Sequence, residues 1–143
     1  MFDLSLDRRG RQGDALGLIK IGEFHKEFLV DLSHWGAVDY WTSWRRTAAR
    51  LLEYGVGRFA VSVGTPSTLY DTWGCWEKDG AVALFRNALP PSMTAHFTAA
   101  IDCENLPTDA NERGVIEPGV DYYWCSLSDI ADFERRLRGQ ETQ

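Results

Sequence analysis

The sequence predicts an α+β fold: a mostly antiparallel, twisted β-sheet with one long helix and one short C-terminal helix packed on it. Three observations point there. In LSHWGAVDYWTSWRRTAARLLEYG, residues Ala37, Tyr40, Trp41, Trp44, Ala48, Leu51 and Leu52 recur at three- and four-residue steps, which places them on one side of a 3.6-residue helix. Two alternating runs flank Asp79-Gly80, a strong hairpin signal. The element order is strands, long helix, three or more strands, loop, strand and short helix, which gathers the helices on one face of the sheet.

Taken in order, Met1 to Ala15 reads as a loose polar arm with Gly10 and Gly13. From Leu16 to Leu32, Leu18, Lys20, Phe24, Lys26, Phe28 and Val30 alternate against Ile19, Ile21, Glu23, His25 and Glu27. That is one bent strand, or two short ones hinged at Gly22. Ser33 is expected to cap the turn into the long helix, with Trp35 packing behind it. Asp39 sits in the first turn, where a negative charge suits the exposed N–H groups. Asp39, Thr42, Ser43, Arg45, Arg46, Arg50 and Glu53 fall mainly on the outer side, and Gly55 ends the helix. The two tryptophans and the tyrosine of the inner face require a broad apolar surface beneath them.

Gly57 to Val63 is a short β-branched run returning to the sheet, and Gly64 to Thr68 is turn chemistry. Tyr70 to Lys78 and Ala81 to Ala88 are the two hairpin arms. On the first arm Thr72, Gly74, Trp76 and Lys78 alternate with Asp71, Trp73, Cys75 and Glu77. Pro90-Pro91 ends the hairpin, Ser92 to Ile101 is a short helix or an extended edge, and Asp102 to Gly119 is a long loop. Val120 to Cys125 is a last strand. Ser126 then acts as N-cap with Asp129 three residues on, opening a helix to about Arg138 that buries Ile130, Phe133 and Leu137. The expected organisation is a flexible arm over 1–15, a single domain over 16–138 and a tail over 139–143.

A chain of 143 residues with 44% hydrophobic and 13% aromatic content is one globular domain's worth. The charged N-terminal stretch has no apolar core of a secretory signal, and no apolar run approaches a membrane span. Cys75, Cys103 and Cys125 are odd in number and without CxxC spacing, as expected of thiols in a reducing cytoplasm. The net charge of −6 is unevenly placed. Residues 1–100 balance 11 acids with 11 bases, whereas 101–132 hold eight acids against Arg113 alone, a net of −7. Such a surface disfavours nucleic-acid phosphate and favours a basic partner.

Candidate chemistry is sparse. Ser33 and His34 are adjacent, but neighbours on an extended segment point to opposite faces and no GxSxG elbow surrounds them. Glu23, His25 and Glu27 would share a strand face as a metal trio, yet His25 has no partner histidine at ligand spacing, and a solvated strand face is the simpler account. Gly64 to Thr68 lacks the Gly-Lys-Ser/Thr ending of a phosphate loop. Cys103, between Asp102 and Glu104, is a poor nucleophile because the flanking carboxylates oppose its thiolate. Trp73, Trp76, Phe85 and Trp124, with Arg86, suggest either a sheet core or an aromatic platform for single-stranded nucleic acid. The acidic segment is the feature best suited to function, because loops near twenty residues in compact domains tend to be functional or disordered. No catalytic, cofactor or metal site is assembled, and the three histidines at 25, 34 and 96 are scattered.

GEFHKEFLVDLSHWGAVDYWTSWRRTAARLLEYG, YDTWGCWEKDGAVALFRN and DYYWCSLSDIADFERRL, in that order from about Gly17 to Leu137, resemble the immunity proteins of bacterial contact-dependent growth inhibition (CDI) systems, the CdiI type. The resemblance implies a single α+β domain that is not an enzyme and needs no cofactor. It would act in the cytoplasm, binding and neutralising a cognate C-terminal toxin domain, often a nuclease. Contact residues do not carry over. The charge count alone nominates Asp102, Glu104, Asp109, Glu112 and Glu117 as the toxin-facing set. The alternatives are a single-stranded nucleic-acid-binding module and an immunity protein of another toxin-delivery system.

Overall fold

The computed structural model describes residues 1–7, 14–64, 69–91 and 118–141. Among the described residues, seven strands form two antiparallel sheets. The first joins β1 (Phe2–Asp7), β2 (Asp14–Ile21) and β3 (Phe24–Asp31) in that order. The second joins β4 (Val56–Ser62), β5 (Tyr70–Lys78), β6 (Ala81–Leu89) and β7 (Tyr123–Ser126), again in chain order. Helix α1 (Ala37–Tyr54) connects the sheets and α2 (Leu127–Glu141) closes the described chain. The fold is α+β, as the sequence predicts. No helix among the described residues is long and apolar enough to cross a membrane.

Residues 2–7 are not an arm. They form β1, paired along its length with β2 from Phe2↔Ile21 to Asp7↔Leu16. Phe2, Leu4 and Leu6 alternate with Asp3, Ser5 and Asp7, and the apolar set faces the core, where Phe2 is completely buried. The ring of Phe2 lies 5.2 Å from Phe59 of β4 and 4.9 Å from Phe133 of α2, so one aromatic triangle ties the first sheet, the second sheet and the C-terminal helix together. The run over 16–32 is two strands turning at Gly22-Glu23, with Ile21 paired to Phe24.

In both long hairpins a glycine lies directly opposite a phenylalanine: Gly17 with Phe28, and Gly74 with Phe85. Each ring lies where a glycine side chain would stand, at 2.2 Å from an ideal Cβ on Gly17 and 2.6 Å from one on Gly74. A bare backbone there lets an aromatic ring lie flat against the strand. The β5–β6 turn is the Asp79-Gly80 pair, with φ of 53° and 84°, the two positive angles that a type I′ turn requires.

Helix α1 covers the edge strand β4 with donors as well as rings. Trp44 Nε1–H donates to the Ala60 carbonyl at 2.7 Å and Thr47 Oγ1–H to the Arg58 carbonyl at 3.1 Å. The Tyr40 hydroxyl donates to the Asp31 carbonyl at 2.6 Å and accepts from Val63 N–H at 2.9 Å, joining the end of β3 to the end of β4. Covering an edge this way blocks the strand from pairing with another chain. The buried face of α1 is therefore wider than its apolar stripe. Ser43, expected outside, is buried with Thr47. The helix entry also differs from expectation: Gly36 is the N-cap, its N–H donating to Asp39 Oδ2 at 2.8 Å, while Ser33 N–H donates to Asp31 Oδ1 at 2.8 Å. An aspartate two residues back forms the tighter local turn. Gly55 closes the helix in the left-handed conformation at φ 78°.

At α2 the expected cap is present in both directions. Asp129 N–H donates to Ser126 Oγ at 3.1 Å, and Ser126 N–H donates to Asp129 Oδ2 at 3.0 Å. The bond from the Ser126 backbone holds the Asp129 carboxyl below the usual aspartate value of 3.8. A carboxylate with a depressed folded-state pKa stabilises the fold above the unfolded value and loses that contribution as pH falls through the folded one. Ser126→Ala is expected to cost about 1 kcal/mol in urea unfolding at pH 7. Asp129→Asn should also destabilise at pH 7, with the gap to wild type narrowing below pH 3.8.

Candidate partner-binding surface

The nominated acids Asp102, Glu104, Asp109, Glu112 and Glu117 lie outside the described residues, as do Cys103, His96 and the Thr65–Thr68 part of the proposed turn. The described chain resumes at Pro118 and runs through exposed Gly119 and Asp121 into β7.

The other sequence candidates are placed clearly. The Ser33 hydroxyl donates to Asp31 Oδ1 at 2.5 Å, so it is held by its own turn. Glu23 sits in the β2–β3 turn, while His25 and Glu27 are exposed on β3. Among the described residues no group of three or more His, Cys, Asp or Glu side chains is close enough together to hold a metal. Burial raises the thiol pKa of Cys75 far above its usual value, and burial together with nearby Asp129 pushes Cys125 up to about 12. Both stay protonated near neutral pH and are poor nucleophiles.

The aromatic set of the second sheet is divided by the sheet itself. Trp73 and Arg86 belong to one face. There Trp73 lies 6.2 Å from Phe24 of β3, and Phe24 stacks on Tyr123 of β7 at 3.8 Å. Arg86 donates through Nε and Nη2 to the two carboxylate oxygens of Asp71, each at 3.1 Å. Phe24, Trp73, Arg86 and Tyr123, with Lys26 and Asp121, border a groove of about 320 Å³ where the β2–β3 hairpin meets the second sheet. Its mixed charge and aromatic walls suit docking, and among the described residues that line it there is no serine, threonine, cysteine or histidine.

Trp76, Phe85 and Trp124 belong to the opposite face. Trp76 meets Trp124 edge-on at 5.4 Å, and Tyr122 packs on Phe85 at 5.6 Å. Trp73 and Trp76 are only 3% and 5% exposed, so neither offers an open ring for a base to stack on. Trp124 differs: it is 45% exposed on the edge strand β7. Sequence reasoning grouped it with the buried tryptophans. Its place in the last strand, just after the acidic segment, is the one signal that could have set it apart.

No family model and no curated protein sequence matches the chain. Among solved structures, the fold is similar to that of a chain of the CdiA-CT/CdiI toxin and immunity complex from Enterobacter cloacae. The TM-score is 0.80 at 19% identity, and the match covers 97% of this chain and 99% of that one. The resemblance read from the sequence thus holds at the level of the fold.

Proposed function

We propose that this protein is an immunity protein of a contact-dependent growth inhibition system, which binds the toxin domain of its own system and neutralises it. The observation that carries the reading is the likeness of fold, nearly end to end on both chains, to a chain from a CDI toxin and immunity complex.

The finer reading is that the toxin is a nuclease with a basic surface and that Asp102, Glu104, Asp109, Glu112 and Glu117 face it. Its support is the charge distribution: eight acids against one base over 101–132 in a chain otherwise close to neutral. A nuclease presents cations to phosphate, and a clustered acidic segment is complementary to such a surface and hastens encounter with it. The same charge opposes nucleic acid as a ligand. Action in the cytoplasm fits the free thiols of Cys75 and Cys125.

The test is to co-express the chain with the toxin domain encoded immediately upstream and to measure both complex formation and growth. A tight one-to-one complex that restores growth is expected. If the chain neither binds that domain nor rescues growth, yet holds a labelled single-stranded oligonucleotide at moderate salt, it is a nucleic-acid-binding module instead.

A further inference from the structure

A bare sheet edge is a row of unpaired N–H and C=O groups ready to join another strand. Three of the four edges here are engaged. Helix α1 sets Trp44 and Thr47 on the Ala60 and Arg58 carbonyls of β4. Arg136 of α2 donates through Nη2 to the Phe2 carbonyl of β1 at 2.8 Å. The turn at Gly22 stands beside β7, where an added Cβ would lie 3.6 Å from the Trp124 carbonyl oxygen. The fourth edge belongs to β3. Because Gly22-Glu23 is a two-residue turn, Ile21 and Phe24 bond across it, and Lys26, Phe28 and Val30 likewise turn their backbone groups toward β2. Those of His25, Glu27, Leu29 and Asp31 face away. Asp31 shows the direction, since its N–H donates to Ser62 Oγ of β4 at 3.2 Å. Nearer the turn, the outward backbone groups of His25, Glu27 and Leu29 have no such partner among the described residues, and all three side chains are exposed. The strand is eight residues long and pairs in regular register, with neither bulge nor proline to blunt it.

An open edge specifies an extended backbone as its occupant, and the groove that β3 borders specifies the side chains. Phe24 and Lys26 of β3 line that groove together with Trp73, Arg86 and Tyr123. A strand laid along β3 would turn alternate side chains toward the groove and the others toward the outer face, beside Glu27 and Leu29. Arg86 is already held by Asp71, whereas Lys26 and Glu27 are exposed and make no ion pair among the described residues. We propose that a strand of the toxin adds to the β3 edge, bonding to the backbone of His25, Glu27 and Leu29, with an acidic side chain toward Lys26 on the groove side and a basic one toward Glu27 on the outer side. Main-chain bonds supply affinity in such an addition, and cross-strand pairs of opposite charge supply the choice of partner. This rests on the immunity reading above and deepens it by naming the surface and the form of the segment it receives. A second copy of the chain fits less well. A two-fold pairing of β3 with itself over residues 25–29 centres on Glu27 and sets two carboxylates directly opposite each other.

The test uses the full chain and a catalytically inactive form of the toxin domain encoded upstream. Glu27→Pro removes an N–H that faces away from β2, so the β2–β3 ladder keeps its bonds while the added strand loses a donor and meets the proline ring. Glu27→Ala removes the same carboxylate and keeps the N–H, so the ratio of the two Kd values reads the backbone alone. Glu27→Pro is expected to bind about tenfold or more weakly than Glu27→Ala. Lys26→Glu should bind more weakly than wild type. Thermal unfolding checks that each variant is folded, and amide hydrogen exchange of wild type reads the same claim with no substitution. The amides of His25, Glu27 and Leu29 should exchange slowly only in the complex, whereas those of Lys26 and Phe28 are protected with or without toxin. If wild type binds but those three amides exchange equally fast in both states, or if folded Glu27→Pro binds like Glu27→Ala, strand addition is overturned while the immunity reading stands. Tighter binding by Lys26→Glu would overturn the acidic residue on the groove side. Protection of the same amides that grows with the concentration of this chain alone would replace the toxin strand by a second copy. Failure of wild type to bind would instead remove the immunity reading itself.

Discussion

Trp44→Ala is expected to destabilise the protein by about 4 kcal/mol, a large part of the roughly 5–15 kcal/mol that holds a domain of this size together. Trp44 is fully buried between α1 and the second sheet, so truncation leaves a cavity the size of an indole that the surrounding rings cannot fill without moving. It also removes the donor to the Ala60 carbonyl, which lies where the β4–β5 register shifts between Ala60 and Ser62. An acceptor left without a partner there adds about 1–3 kcal/mol. Urea unfolding followed by tryptophan-independent far-ultraviolet circular dichroism measures the loss. Trp44→Phe separates the two contributions, since it keeps most of the volume and loses the donor. A loss below about 1 kcal/mol for the alanine variant would mean that α1 is not seated on β4 as described.

Reversing Asp109, Glu112 and Glu117 to lysine is expected to slow association with the toxin by tenfold or more at low salt. The three changes shift charge by +6 and bring the chain from −6 to neutral. They act on the one stretch that carries the excess, so the attraction that guides a basic partner inward is lost and partly inverted. The decisive readout is the salt dependence. Wild type should bind more slowly as salt rises, and the reversed chain should show a flat or opposite trend. Identical association rates for both chains across salt concentrations would remove this segment from the interface.

Much of the fold was open to reading because its signals are local. Asp79-Gly80 marks its hairpin to the residue, Ser126 with Asp129 marks the start of α2, and Gly55 marks the end of α1. The first strand was equally regular, with Phe2, Leu4 and Leu6 in strict alternation, but its outward residues are polar, two of the three being aspartates, and Arg8, Arg9 and Arg11 follow at once. A short amphipathic edge strand beside such a run resembles a solvated tail until its apolar face is given something to pack against. Ser43 shows the same limit from the other side: its burial is decided by how closely β4 approaches α1, a tertiary fact with no local signature. The division of the aromatics was present in the spacing, since Trp73 and Trp76 are three residues apart in a strand and must point to opposite faces. What no pattern of residue types announces is that Trp124, alone of the three tryptophans of that sheet, is exposed.

The paired glycines and phenylalanines of the two hairpins have a spectroscopic consequence. Each aromatic ring lies within 2.2 to 2.6 Å of the place where a glycine Cβ would stand, which is where one of that glycine's α-protons sits. The circulating electrons of Phe28 and Phe85 must therefore displace the α-proton resonances of Gly17 and Gly74 from the ordinary glycine region and split each geminal pair. Two isolated signals then report separately on the β2–β3 and β5–β6 hairpins. As the protein is warmed, or as the toxin domain is added, whichever hairpin yields first will be the one whose glycine protons converge.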